Sequence, residues 1–313
     1  MNENNTLLRD DLKYKTALRK GKDPQYIPWM EQHFDLSSRK KLSVKQRTAE
    51  RQRLLENFEI VQKVKDQMYT LKTLDQAYDG ACTIASLFNL LHIEGKDELH
   101  PPKKVGKVYK PMTWDDIKKL NKKREEGLYF AIKVYHKITK YKKEVLGGES
   151  DAQDYQETLQ LGKKLNIPVI ENILNDESFR YIPVRSRING ERYMNYEVAG
   201  NDPKKFVISV QTYIENLLNR GIPVGFTANG HARVIVGCNN TEVVMLDSWG
   251  DNYSVEQKEL NWGKLNYQDK FKAGFSTMNK KVIYGDMRDI IYFEPSESAD
   301  VNQNEENMVK LKL

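Results

Sequence analysis

Cys82 is one of only two cysteines in the chain and stands in the run Gln76-Ala-Tyr-Asp-Gly80-Ala-Cys82-Thr-Ile-Ala-Ser-Leu-Phe-Asn-Leu-Leu91. Ile84, Leu87, Phe88 and Leu91 recur at steps of three and four, which predicts a helix with one buried face and Cys82 in its first turn. A thiol there meets the positive end of the helix dipole and unpaired backbone N–H groups, which favour the thiolate, the form that attacks carbonyls. Gly80 lets another chain approach the sulfur closely. A cysteine at the head of an apolar helix also serves as ordinary core, so the chemical reading needs a base, a group that orients the base, and donors for an oxyanion.

Those partners are found in Gly230-His231-Ala-Arg-Val-Ile-Val-Gly-Cys238-Asn-Asn-Thr-Glu-Val-Val-Met-Leu-Asp247-Ser-Trp-Gly250. Two β-branched runs flank Asn239-Asn240 and predict a hairpin. A turn centred on that pair sets His231 opposite Asp247, near enough for the carboxylate to accept an imidazole N–H and fix the ring's tautomer and direction.

These residues resemble the papain-like cysteine peptidases. The family's local signature is Cys-Gly-Ser/Ala-Cys-Trp/Tyr with a distant His and Asn; here Asp79-Gly80-Ala81-Cys82-Thr83 keeps the glycine and alanine. Gln76, six residues before Cys82, matches the oxyanion-hole glutamine, and Asp247-Ser-Trp249-Gly250 is similar to the family's Asn-Ser-Trp-Gly. Asp247 in place of Asn, and the direct run from Gly221 to His231, look more like the branch that processes bacteriocins with double-glycine leaders. Gly147-Gly148 resembles the glycine pair lining the substrate cleft, or is simply a loop before a helix over 152–165.

The resemblance covers roughly residues 74–295 and implies an α+β fold: a helical half bearing the nucleophile facing an antiparallel β half bearing His231 and Asp247. It further implies Cys82, His231, Asp247 and Gln76 as catalytic residues and Gly80, Gly147, Gly148 and Trp249 at the substrate. Trp249 would shield the His231–Asp247 contact. The reaction implied is hydrolysis of a protein or peptide through an acyl-enzyme, with no metal and no organic cofactor. The same constellation also serves acyl transferases, deamidases and isopeptidases, and the fold can persist as a non-catalytic binding module.

The whole chain has 313 residues and a net charge of +6. Its length suits one large or two ordinary domains. It has no apolar run of membrane-spanning length and opens on Met-Asn-Glu-Asn-Asn-Thr, which lacks the features of a secretory signal. These features predict a non-secreted, cytoplasmic or otherwise intracellular protein. Two cysteines are too few for a disulfide framework, and Cys238 reads as a buried strand or turn residue.

Three segments divide the chain. Residues 1–70 read as a basic, mostly helical extension, in which Ser43-Val-Lys-Gln46 caps a long helix with the stripe Leu54, Phe58, Val61, Val64 and Met68. It serves either as a structural extension or as an autoinhibitory segment. Residues 71–295 form the catalytic domain, with a lysine-rich insertion at about 101–146 that carries fourteen Lys or Arg against five Asp or Glu. The insertion either meets a polyanion, such as nucleic acid or an acidic surface, or is a solvated face. Within it, Thr113-Trp-Asp-Asp116 opens a helix. Phe206-Val-Ile-Ser-Val210 is expected as a strand ahead of a helix from Tyr213 to Asn219, and Asp289–Phe293 as the last strand. Residues 296–313 read as a disordered polar tail. His92 and His100 match no metal-ligand spacing and are expected as solvated surface residues.

Overall fold

The computed structural model describes residues 40–74, 82–117, 154–188, 191–228, 230–248, 253–256, 260–262, 265–267 and 270–295. Most of the lysine-rich insertion, the Gly147-Gly148 pair and the polar tail lie outside them. The described chain is α+β, built around an antiparallel sheet.

The N-terminal part enters with β1 (Lys40–Lys41) and α1 (Val44–Asn57). Ser43 and Gln46 form the expected capping box: Ser43 Oγ accepts from the Gln46 N–H at 3.2 Å, and Gln46 Oε1 accepts from the Ser43 N–H at 2.9 Å. The long helix expected beyond this cap stops at Asn57. The chain extends as β2 (Glu59–Ile60) before a short α2 (Gln62–Lys65). Leu54, Phe58, Val61, Val64 and Met68 are nevertheless all buried. Pairing of the Glu59–Ile60 backbone with the central sheet overrides the helical period at that point.

Next comes α3 (Cys82–Glu94), buried on every side through Leu91 rather than along one face. Apolar residues dominate it, and its buried polar side chains Thr83, Ser86 and Asn89 are each hydrogen-bonded, as a helix enclosed by other elements requires. A separate hairpin follows, β3 (Pro102–Val105) and β4 (Val108–Pro111). Thr113 and Asp116 then cap a helical turn reciprocally, the Asp116 N–H donating to Thr113 Oγ1 at 3.2 Å and the Thr113 N–H to Asp116 Oδ2 at 2.9 Å.

The helix expected over 152–165 is α4 (Tyr155–Lys164), capped by Asp154, and α5 (Pro168–Leu174) follows. Then come β5 (Phe179–Pro183), the hairpin β6 (Arg185–Ile188) and β7 (Glu191–Met194), the short α6 (Tyr196–Ala199) and α7 (Phe206–Asn219). The strand expected at Phe206–Val210 is the first third of α7. Phe206, Val210, Ile214, Leu217 and Leu218 are its buried positions, a helical spacing that outweighs the β-branched composition of the first five residues.

The remaining elements are β8 (Val224–Ala228), β9 (His231–Cys238), β10 (Glu242–Leu246), β11 (Tyr253–Glu256), β12 (Leu260–Trp262), β13 (Leu265–Tyr267), β14 (Lys270–Lys272), β15 (Phe275–Asn279), α8 (Lys280–Gly285) and β16 (Asp289–Phe293). The main sheet has the order β1-β11-β14-β15-β10-β9-β8-β16-β5, and β2 also pairs with β9. Along one edge β9 meets β10. Along the other it meets β8 as far as Ile235 and then β2 at Gly237 and Cys238. α3 packs against β9 and β8, so the head of that helix and the start of β9 come together. A single hydrophobic cluster runs from Leu54 to Phe293 and includes Cys82.

Candidate active site

Cys82 is the first residue of α3 and is 6 % exposed. One turn along the helix, Ser86 shares a hydrogen bond with Tyr155 of α4; Thr83 is joined to Thr158 at 3.3 Å. Side chains inside the helix thus fix its rotation and with it the direction of the sulfur.

His231 opens β9 directly after a two-residue hairpin loop, paired with Ala228 at the end of β8. Gly230 in that loop has φ +72°, the left-handed conformation that such loops need and that glycine adopts without strain. The imidazole is 7 % exposed. Its Nε2 bonds to Asp247 Oδ1 at 3.0 Å, which leaves Nδ1 for a second partner. The Cys82 thiol lies within hydrogen-bonding reach of the ring.

Asp247 follows β10 and is 1 % exposed, with its backbone N–H held by the Gly274 carbonyl at 3.0 Å. Its carboxylate is met from four sides. Oδ1 takes the His231 ring and the Ser248 N–H at 2.8 Å; Oδ2 accepts from Ser276 Oγ at 3.0 Å and forms an ion pair with Arg233, whose Nε lies 2.8 Å away. A buried carboxylate is tolerated when it is paired and hydrogen-bonded in this way.

The electrostatics follow from that packing. Burial alone would lower the pKa of His231, but the charge of Asp247 beside it more than compensates and raises it to about 9, with Arg233 opposing the rise. Burial alone would raise Asp247, but Arg233 and His231 hold it down at about 2. The carboxylate is therefore ionised across the neutral range.

The sequence brings His231 and Asp247 together correctly but puts them in the wrong register. Cys238 pairs with Val243 and Val234 with Leu246, so Asp247 comes opposite Arg233, and His231 is its diagonal neighbour. Two features move the register. Asn239 Oδ1 accepts from the N–H groups of Thr241 and Glu242, which closes a longer turn than Asn239-Asn240 alone, and the ladder shifts between Val244 and Met245. Arg233 is the member of this charged cluster that the sequence does not single out. Its signal was a lone charge two residues from His231, hence on the same strand face, inside an otherwise apolar run.

Gln76, Gly80, Gly147, Gly148 and Trp249 lie outside the described residues. Cys238, expected in a strand or turn, ends β9 half-buried, and burial pushes its thiol up. His92 and His100 differ from expectation. His100 is buried, its Nδ1 bonded to the Met112 carbonyl at 2.9 Å, and His92 stacks on Trp114 with ring centroids 4.1 Å apart. Packing of Trp114 over the end of α3 draws both rings inward. Among the described residues, no group of three or more His, Cys, Asp or Glu could hold a metal ion, and no helix is long and apolar enough to cross a membrane. No protein-family profile matches the chain, and no curated protein matches it.

A thiol, an imidazole and a buried carboxylate in sequence are the parts of nucleophilic acyl transfer: nucleophile, base and orienting group.

Proposed function

We propose that this protein is a cysteine peptidase of papain-like architecture that hydrolyses peptide bonds through Cys82, His231 and Asp247. The observation that carries the reading is the thiol at the head of a buried helix reaching an imidazole whose other nitrogen is held by a buried carboxylate at 3.0 Å. The resemblance in residue order and spacing supports the choice of a peptide carbonyl as the target.

In this mechanism His231 takes the proton of Cys82 and Asp247 steadies the resulting imidazolium. The sulfur attacks the peptide carbonyl and forms a tetrahedral oxyanion. The Cys82 backbone N–H, which has no partner within the helix in its first turn, and the Gln76 side-chain amide stabilise that oxyanion. Collapse breaks the C–N bond as His231 returns its proton to the leaving amine. Water, deprotonated by His231, then attacks the thioester and releases the acid and the free thiol. The amine carries off the proton that Cys82 gave up, and the water supplies the one that His231 hands to the departing thiolate, so the full cycle returns the site to its starting protonation.

Digestion of a whole-cell peptide mixture in oxygen-18 water tests the reaction. New C-termini that carry the heavy oxygen and disappear with Cys82→Ala are the expected result. Transfer of acyl groups to added amines without hydrolysis, or no Cys82-dependent product from a folded protein, contradicts it.

A further inference from the structure

We propose that Arg233 is a positioning residue of this site: by occupying Oδ2 of Asp247, its guanidinium holds the carboxylate at the angle at which Oδ1 meets the His231 ring, and it withholds part of the carboxylate's charge from that ring. The proposal deepens the peptidase reading and rests on it for the role of His231.

Arg233 stands one residue beyond the last β9–β10 pair, Val234 with Leu246, and so comes level with Asp247; it is 6 % exposed. A buried guanidinium is costly unless it is paired, and its Nε stands 2.8 Å from Asp247 Oδ2. Because arginine stays protonated at every accessible pH, this half of the pair does not titrate away. The two carboxylate oxygens are thereby assigned different tasks. One is anchored by Arg233 and Ser276, and the other is presented to His231 with the Ser248 N–H beside it.

Charge gives the second consequence. Asp247 alone would bind the imidazolium proton tightly, but that proton must later pass to the leaving group. A fixed cation on the far oxygen offsets the carboxylate, so the imidazolium remains a competent acid. Among the described residues, the ionisable groups acting on His231 are Asp247 after β10, Arg233 on β9 and Cys82 on α3. Tyr155 on α4 couples to Cys82 and to Asp289 of β16.

Two variants of the full chain separate charge from hydrogen bonding. Arg233→Gln keeps a donor and loses the charge, while Arg233→Lys keeps the charge. The readout is the His231 ring titration followed by NMR, with His231→Gln identifying its resonance. The midpoint is expected to rise by about one pH unit in Arg233→Gln and to stay within about 0.3 unit of the native value in Arg233→Lys. An unshifted midpoint in a folded Arg233→Gln protein overturns the proposal. If that variant does not fold, a Lys variant displaced by a full unit overturns it equally. The ring titration reports on Arg233 even if no peptide is ever cleaved, so failure of the peptidase reading appears separately, as Cys82 alkylation that ignores His231.

Discussion

Asp247 spends both carboxylate oxygens on neighbours, and its worth to the protein depends on pH. His231 is raised above its usual value, so its contribution to stability is complete below about pH 6.5 and fades as the pH rises through about 9. Asp247 is lowered, so its contribution is complete above about pH 4 and fades as the pH falls through about 2. The difference in urea midpoint between the native protein and His231→Gln should therefore be largest near pH 6 and shrink steadily towards pH 9.5. A difference that grows with pH would contradict the pairing. Ser276→Ala removes one donor from the buried carboxylate and should cost about 1.5–3 kcal/mol in urea unfolding; a cost under 0.5 kcal/mol would mean that Ser276 does not support Asp247. Cys82, His231 and Asp247 were legible because nucleophile, base and carboxylate have distinctive chemistry and spacing. Arg233 was not, because a charge in a strand announces a partner only once the register is known.

Register and element type are decided by contacts between segments distant in sequence. The capping box at Ser43 and the final strand at Asp289–Phe293 could be read locally, since their determinants lie within a few residues. The break at Asn57 and the β9–β10 register could not. The break depends on β2 finding the edge of β9, where the Val61 N–H bonds to the Val236 carbonyl at 2.9 Å. Five residues, Phe206–Val210, have strand composition, but the fourteen of α7 carry a helical period. Gly237 records how closely β2 approaches: a Cβ there would lie 2.3 Å from the Glu59 carbonyl oxygen, a backbone atom with little room to move. Gly237→Ala should therefore push β2 off the sheet and destabilise the protein by about 2–3 kcal/mol in urea. An unchanged midpoint would show that β2 is dispensable.

Across the whole molecule, residues 40–74 belong to the same core as the site. Arg51 donates to the carbonyls of Met68 and Ala273, and Leu54, Phe58, Ile60, Val61, Val64 and Met68 are buried in the common cluster. Six such side chains contribute roughly 9–18 kcal/mol by burial, comparable to the entire net stability of a typical domain, about 5–15 kcal/mol. A chain beginning at Leu71 should accordingly fail to fold by circular dichroism. A folded, alkylation-competent fragment from Leu71 would make the segment a removable extension instead. The central claim, that fold and charge together make Cys82 a nucleophile, is tested most directly by the rate of iodoacetamide labelling at Cys82 from pH 5 to 10, with Cys238 as the internal reference. The account predicts rapid labelling at pH 6 that falls at least tenfold in His231→Ala while Cys238 stays slow in both. Equal, slow labelling of the two cysteines at pH 6, unaffected by His231→Ala, would contradict it.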